Sequence, residues 1–172
     1  MRYLFLAIIL LTLAAAGTYA YLGGTQEPTV ALETTATPVY LAGQPYHGAV
    51  TGDSFGQLFR RAKDAQATLP GDLTNLYLND PETAHDTITA FIGLAVADTT
   101  RPLPAGFRYR TVPAGQRVVA ARLHGVSYLP APNKLYPAAL EAIKKQKLTQ
   151  RGDFYLERFG TDEASEVLIG VK

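Results

Sequence analysis

One carboxylate flanked by aromatic rings is the feature of this sequence best suited to chemistry. Tyr155, Glu157 and Phe159 lie two positions apart. Successive side chains of a strand point to opposite faces, so these three share one face. A carboxylate beside aromatic rings can hold a cation, because the ring faces attract the cation as well. We therefore predict that Glu157 binds a cationic or hydrogen-bonding ligand; the alternative is a solvated strand residue that pairs with Arg158 or with a neighbouring strand.

Other aromatic side chains could line the same cleft, although many aromatic residues in a domain of this size only fill the core. The predicted ligand-binding set adds Asn75, Tyr77, Phe91, Tyr128 and Tyr136. Aligning Tyr77 with Phe159 makes Asn75 the first-half counterpart of Glu157, whereas a constant offset would select Asp80. In the first alignment only one carboxylate is present, and a hydrolytic site needs two groups that divide the acid and base roles.

The remaining residue types offer little further chemistry. His47 and His124 each precede a glycine, and without a third ligand in the motif we predict strand ends beside tight turns rather than a metal site. The chain has no cysteine, which excludes disulfides, zinc–thiolate sites and thiol nucleophiles. No G-x-S-x-G nucleophile elbow occurs. We predict no catalytic residue, no metal and no cofactor.

The elements that must position these residues occur twice. His47-Gly48 is echoed by His124-Gly125 and Ile92-Gly93 by Ile169-Gly170, both at an offset of 77 positions. Each half also carries one amphipathic helix pattern, and clefts between similar halves commonly hold ligands. We predict an α+β fold of two tandem βαββ units with pseudo-two-fold symmetry. The echoed residues should then occupy equivalent positions.

Hydrophobic periodicity locates the elements of each half. A helix is predicted to begin at a capping box formed by Ser54 and Gln57, and a second helix carries Tyr136. The main predicted strands span residues 73–78, 87–96, 107–112, 117–123, 153–159 and 167–171.

The N-terminal segment indicates a membrane. Tyr3–Leu22 contains twenty residues without a charge, which as a helix spans about 30 Å. Arg2 is the cation before it and favours a cytoplasmic N-terminus, with the rest of the chain on the non-cytoplasmic side. The alternative is a cleaved signal peptide and a secreted protein. We predict a transmembrane helix or signal anchor over 1–22, a linker over 23–28 and one domain over 29–172.

The charge balance argues against nucleic acid as a partner. The chain has 16 Lys and Arg against 15 Asp and Glu, and no basic stripe that could follow a phosphate backbone.

Five motifs, in order, carry a resemblance to a known family. They are NLYLNDPE at 75–82, GFRYRTVPAG at 106–115, HGVSY at 124–128, ERF at 157–159 and IGVK at 169–172. Together they resemble the GyrI-like small-molecule-binding domain, also called the AraC-type effector-binding domain, over residues 28–172. That resemblance implies two βαββ units around a ligand cleft, with Glu157 at the family's frequent pocket glutamate.

The resemblance also implies a function. Members of this family bind hydrophobic, often cationic, small molecules, and some are tethered by an N-terminal membrane helix. We therefore expect a membrane-tethered, stand-alone binding module for a hydrophobic or cationic molecule, without its own DNA-binding domain. Two alternatives stay open. One is a small hydrolase using Glu157 with Tyr128 or Tyr155; the other is a protein-interaction domain with no small-molecule ligand.

Overall fold

A computed structural model describes most of the chain. The described residues are 2–21, 25–49, 53–84, 87–126, 128, 130–160, 162 and 164–172. The predicted end of the apolar segment at Leu22 and the first two linker residues lie outside them. The helices are α1 Arg2–Tyr21, α2 Asp53–Ala65 and α3 Pro132–Lys145. The strands are β1 Thr29–Thr34, β2 Val39–Gly48, β3 Asp72–Tyr77, β4 Ile88–Val96, β5 Arg108–Val112, β6 Arg117–Leu123, β7 Gln150–Phe159 and β8 Ser165–Val171.

The eight strands form one antiparallel sheet with internal symmetry. The strand order is β1-β6-β8-β7-β3-β4-β2-β5. Exchanging β1 to β4 with β5 to β8 reverses this order and leaves it unchanged, so a pseudo-two-fold axis passes between β3 and β7. The predicted α+β class and tandem repeat are therefore confirmed. Each repeat has one strand more than the predicted βαββ unit, at its beginning. These first strands pair across the two halves: β1 pairs with β6, and β5 pairs with β2.

Strand register settles the alignment of the two halves. Residues 73–77 of β3 pair with 155–159 of β7, and Asn75 faces Glu157 at the middle of this pair, so a two-fold axis through that point makes these two residues counterparts and excludes Asp80. The register from β3 through β4 to β2, compared with that from β7 through β8 to β6, also makes His47 the counterpart of His124, as predicted.

The second predicted equivalence, between Gly93 and Gly170, is wrong. Asn75 lies opposite Ile92, and its counterpart Glu157 lies opposite Val167. Gly93 therefore corresponds to Leu168, two positions before Gly170. A constant offset fails here because the connection from β3 to β4 is longer than the connection from β7 to β8.

The helices cover one face of the sheet. Ala62 of α2 and Ala139 of α3 pack with the strand residues Ile92, Val119 and Ile169 in the larger apolar core. A second apolar cluster lies on the other face of the sheet, formed by Leu41, Leu76, Phe91, Val112, Val118, Ala120, Phe154, Leu156 and Leu168. The alternation of each strand decides which face a residue joins.

The first turn of α2 differs from the predicted capping box. Gln57 Nε2 donates a hydrogen bond to Asp53 Oδ2 at 2.6 Å, and the helix begins at Asp53. The Ser54 hydroxyl instead lies 3.5 Å from the Tyr46 hydroxyl.

An ion-pair chain crosses the face of the sheet opposite the helices. Arg122 contacts Glu33 at 2.5 Å and Glu166 at 2.6 Å, and Arg158 contacts Glu166 at 3.2 Å and Asp72 at 3.8 Å. These five residues belong to five neighbouring strands, and their charges alternate. Their hydrogen bonds raise the pKa of Arg122, chiefly through Glu33, and lower the pKa of Glu33.

Two glycines allow β2 and β4 to approach closely. Gly43 faces Gly93 across the strand pair. A Cβ added to Gly43 would lie closer than 3.0 Å to the Ile92 carbonyl oxygen, and one added to Gly93 would do the same to the Ala42 carbonyl oxygen. Neither backbone oxygen can move aside without breaking the sheet, so this crossing requires glycine on both strands.

The N-terminal helix α1 is exposed throughout its described side chains. Tyr3–Tyr21 has a mean hydropathy of 2.0 and is long and apolar enough to cross a membrane or to serve as a signal sequence.

Candidate ligand-binding site

The site is built around a buried carboxylate at the centre of the sheet. Glu157 lies in β7, one of the two central strands, and its side chain points to the face that the helices cover. Only 6% of the surface of Glu157 is exposed to solvent. The predicted alternation of β7 is thus present, and it brings Glu157 into the apolar core.

Three polar side chains surround the carboxylate of Glu157. Asn75 Nδ2 donates a hydrogen bond to Glu157 Oε2 at 2.8 Å, and the Tyr77 hydroxyl donates to the same oxygen at 3.1 Å. The Tyr136 hydroxyl of α3 is near enough to favour the charged carboxylate, although its geometry is outside that of a hydrogen bond. No cation forms an ion pair with Glu157 among the described residues.

Burial controls the protonation of this group. It raises the pKa of Glu157, and the polar contacts from Asn75, Tyr136 and Tyr77 lower that pKa without cancelling the effect of burial. Burial also raises the pKa of Tyr77 and of Tyr136 far above the ordinary value, and the negative charge of Glu157 adds to both shifts. Both phenols therefore keep their protons at neutral pH and remain hydrogen-bond donors.

Two polar atoms beside the carboxylate have no partner in the described part of the chain. Asn75 Oδ1 and the Tyr136 hydroxyl are buried there without a hydrogen bond. Asn75 is 4% exposed and Tyr136 is 5% exposed. Because most buried polar atoms in proteins are hydrogen-bonded, unpartnered atoms at one place suggest that something else binds there.

Aromatic rings connect the buried site to the surface. The half-buried ring of Tyr128 lies 6.1 Å from Phe59 of α2 and 6.3 Å from Phe159 of β7, measured between ring centroids. The ammonium of Lys63, also on α2, lies 5.3 Å from the centroid of Tyr128. A cation thus already occupies one aromatic face near the outer end of this path. Sequence reasoning did not assign Phe59 or Lys63 to the site, because nothing in the sequence links either residue to Tyr128.

Most of the predicted site residues come together, and their roles differ. Asn75, Tyr77 and Tyr136 surround Glu157, and Tyr128 joins through the ring of Phe159. Tyr155 shares the face of Glu157, but its hydroxyl donates to Gln150 Oε1 at 2.9 Å. Burial raises the pKa of Tyr155 to about 12.

Phe91 requires a correction, because it lies in the apolar cluster on the opposite face of the sheet. The guanidinium groups of Arg108 and Arg110 each lie 5.9 Å from its ring centroid. Phe91 neighbours Ile92 in β4, and the alternation that turns Ile92 toward the helices turns Phe91 away. We therefore exclude Phe91 from the candidate site.

The paired histidines do not meet. His47 lies in β2 and His124 follows β6, and four strands separate β2 from β6. His47 Nδ1 lies 3.0 Å from Thr89 Oγ1. In the described part of the chain, no three His, Asp or Glu side chains are grouped to hold a metal ion.

Comparison with protein-family profiles and with curated protein sequences finds no match. Solved structures do match. An integron cassette protein of Vibrio cholerae has a TM-score of 0.61 at 11% identity, over 85% of this chain and 96% of that chain. The EcmrR C-terminal domain has a TM-score of 0.58 at 13% identity, over 84% and 98%. SAV2435 bound to tetraphenylphosphonium has a TM-score of 0.55 at 12% identity, over 85% and 94%. The chain has the GyrI-like fold.

Proposed function

We propose that this chain is a small-molecule-binding module for hydrophobic cations, with Glu157 as the recognition residue. The observation that carries the proposal is a buried carboxylate without a cationic partner among the described residues. Burying a charge costs several kcal/mol unless an opposite charge or hydrogen bonds compensate. Two hydrogen bonds compensate only in part, since the pKa of Glu157 remains raised. A cationic ligand would supply the missing charge.

The surroundings of Glu157 support an apolar cation over a hydrated one. Phe159 and Tyr128 offer aromatic faces, which attract cations and cover apolar groups. Lys63 on Tyr128 is an intramolecular example of such a contact. The similar fold of SAV2435 holds tetraphenylphosphonium, a cation of the same chemical class.

The same residues support binding over hydrolysis. The counterpart of Glu157 is Asn75, an amide that cannot exchange a proton as an acid or base. Tyr77 and Tyr136 have raised pKa values and hold their protons too tightly to act as bases near neutral pH. Asn75, Tyr77 and Tyr136, the described polar side chains around the carboxylate, therefore cannot share the acid and base roles with Glu157.

The proposal is tested with a cation and its neutral isostere. Full-length protein in detergent is titrated with 1-naphthylmethylammonium and with 1-naphthylmethanol by calorimetry. A charge-assisted contact is worth about 1.5–3 kcal/mol, so Glu157→Gln should weaken binding of the ammonium roughly tenfold or more. Binding of the alcohol should change much less.

Glu33→Gln is the matched control, because Glu33 is a carboxylate on the opposite face with its own partner, Arg122. It should leave both affinities unchanged. Equal losses for the ammonium and the alcohol in Glu157→Gln, or no loss for either, would show that Glu157 is not the recognition residue.

We also propose that α1 anchors the domain to a membrane as a single-pass helix, with the domain on the non-cytoplasmic side. Support comes from the length, hydropathy and exposure of Tyr3–Tyr21 and from the charge of Arg2 before it. Since the chain has no cysteine, Lys144→Cys on the exposed side of α3 provides a single label. The label should react with a membrane-impermeant maleimide in intact cells, and the protein should resist alkaline extraction. Soluble protein that begins near Tyr21 would indicate a cleaved signal peptide instead.

A further inference from the structure

The unpartnered atoms beside Glu157 indicate which kind of cation the site accepts. We infer that the ligand is a monocation carrying at least two N–H groups, such as a protonated amine or amidine, rather than a quaternary ammonium or phosphonium. This inference rests on the proposed function and narrows its ligand class.

The ionised state of Glu157, which a bound cation favours, determines the orientation of the Asn75 amide. An ionised carboxylate only accepts hydrogen bonds, so in that state the amide atom that faces Glu157 Oε2 at 2.8 Å is the donor Nδ2. Asn75 Oδ1 is then an acceptor that lies beside the carboxylate, is nearly inaccessible to solvent and has no partner among the residues that the structure describes. Only a donor can satisfy it.

The hydrogen bonds from Asn75 and Tyr77 both end on Oε2 of Glu157, and no described side chain donates to Oε1. A ligand with two N–H groups could donate one to the carboxylate and one to Asn75 Oδ1. The Tyr136 hydroxyl, which is also unpartnered, could accept a third. A quaternary ammonium or phosphonium ion has no N–H and would leave these oxygens unsatisfied in a dry environment. Sites built to hydrogen-bond a ligand discriminate strongly against analogues that lack the donor.

The pseudo-symmetry limits the charge of the ligand. Asn75 is the counterpart of Glu157, so the central strand pair presents one carboxylate and one amide. A single negative charge at this position is balanced by a monocation, whereas a dication would bring an uncompensated positive charge into the core.

The test compares three ligands on the full-length chain in detergent. These are 1-naphthylmethylammonium, its N,N,N-trimethyl analogue and neutral 1-naphthylmethanol, each titrated against the unmodified protein. We expect the primary ammonium to bind at least about tenfold more tightly than the trimethyl analogue, which corresponds to about 1.4 kcal/mol. The unmodified protein alone decides this point, so the test does not depend on how a variant folds.

Two variants assign the preference to residues. Asn75→Leu should reduce the ratio of the two cation affinities toward one, whereas Glu157→Gln should weaken both cations relative to the alcohol. Equal or tighter binding of the trimethyl analogue to the unmodified protein would overturn the inference. If Glu157→Gln still weakened both cations, the proposed function would stand. Cations that bind no better than the alcohol would overturn the proposed function and the inference together.

Discussion

Asn75 and Glu157 face each other across the central strand pair, joined by a 2.8 Å hydrogen bond from the amide to the carboxylate. They are counterparts under the pseudo-two-fold axis, so a symmetric scaffold holds a chemically asymmetric pair at its centre. Two carboxylates in this position would repel each other without water to screen them. The amide instead donates to the single carboxylate and keeps one acceptor for another group.

Glu157→Gln should make the ligand-free protein more stable at neutral pH. Folding raises the pKa of Glu157 above its ordinary value of 4.5. Between the unfolded and folded values the native state binds more protons than the unfolded chain, so stability falls as pH rises through that window. Above the window the variant should gain about 1.4 kcal/mol for each unit by which folding raises the pKa. Thermal unfolding from pH 4 to 8, followed by tyrosine circular dichroism, measures this difference.

Glu33→Gln should change the stability at neutral pH in the opposite direction in the same experiment. The hydrogen bond from Arg122 lowers the pKa of Glu33, so its contribution to stability is present above the unfolded value and is lost as pH falls. This variant should lose stability at neutral pH and approach the unmodified protein in acid. Parallel pH profiles for both variants would contradict the assigned environment of Glu157.

The two buried tyrosines should respond differently to loss of their hydroxyls. Tyr77→Phe removes a hydrogen bond to a carboxylate and should lower the free energy of unfolding by roughly 1.5–3 kcal/mol. Tyr136→Phe removes a hydroxyl that has no hydrogen-bond partner among the described residues and should change the free energy of unfolding by less than about 1 kcal/mol. Unfolding without ligand, at one pH above the titration of Glu157, separates the two. A larger loss for Tyr136→Phe would mean that its hydroxyl is bonded in solution.

Lys63→Gln should strengthen binding of an aromatic ammonium. The Lys63 ammonium occupies the face of Tyr128, and an exposed contact of this kind is worth about 0.5–1 kcal/mol. If the ligand uses Tyr128, removing this competitor should raise affinity roughly two- to fivefold. Arg60→Gln removes the same charge from the same helix, but Arg60 pairs with Asp53. Equal gains in both variants would indicate a general charge effect rather than competition for the ring.

Gly43→Ala should destabilise the sheet, because the added methyl group meets the backbone of β4. Overpacking of this kind costs roughly 1–3 kcal/mol. Gly56→Ala on α2 is the control, since its Cβ would meet only the end of Arg60 at 3.4 Å. It should stabilise the helix by about 0.5–1 kcal/mol. The midpoint temperatures of thermal unfolding of the two variants should therefore shift in opposite directions. Equal shifts would contradict the close approach of β2 and β4.

The sequence predicted the parts of the site that depend on strand alternation. The spacing of Tyr155, Glu157 and Phe159 is sufficient to place them on one face, and the Tyr77 alignment correctly matched Asn75 with Glu157. Phe91 could not be assigned in this way, because β4 is apolar on both faces and its sequence carries no polar alternation. The Gly93 and Gly170 match failed because connections of unequal length shift the register without altering the local motifs.

Contacts between elements were the other part that could not be predicted. The position of Lys63 over Tyr128 depends on how α2 lies against the sheet, and neither residue signals the other in the sequence. That Asn75 Oδ1 and the Tyr136 hydroxyl have no hydrogen-bond partner among the described residues is likewise evident only once β3, β7 and α3 are assembled.

The pairing of β1, the first strand of the first half, with β6 of the second half has a mechanical consequence if α1 is anchored as proposed. Tension from the membrane would reach the domain at residue 26, where Lys134 Nζ of α3 donates to the Gln26 carbonyl oxygen at 2.5 Å, and then at Thr29, the first residue of β1. Because β1 is an edge strand, its hydrogen bonds to β6 would open one pair at a time from the Thr29–Arg122 end. Two strands, β6 and β8, separate β1 from Glu157 in β7. A pulling force would therefore peel away the edge of the sheet before it disturbed the buried carboxylate.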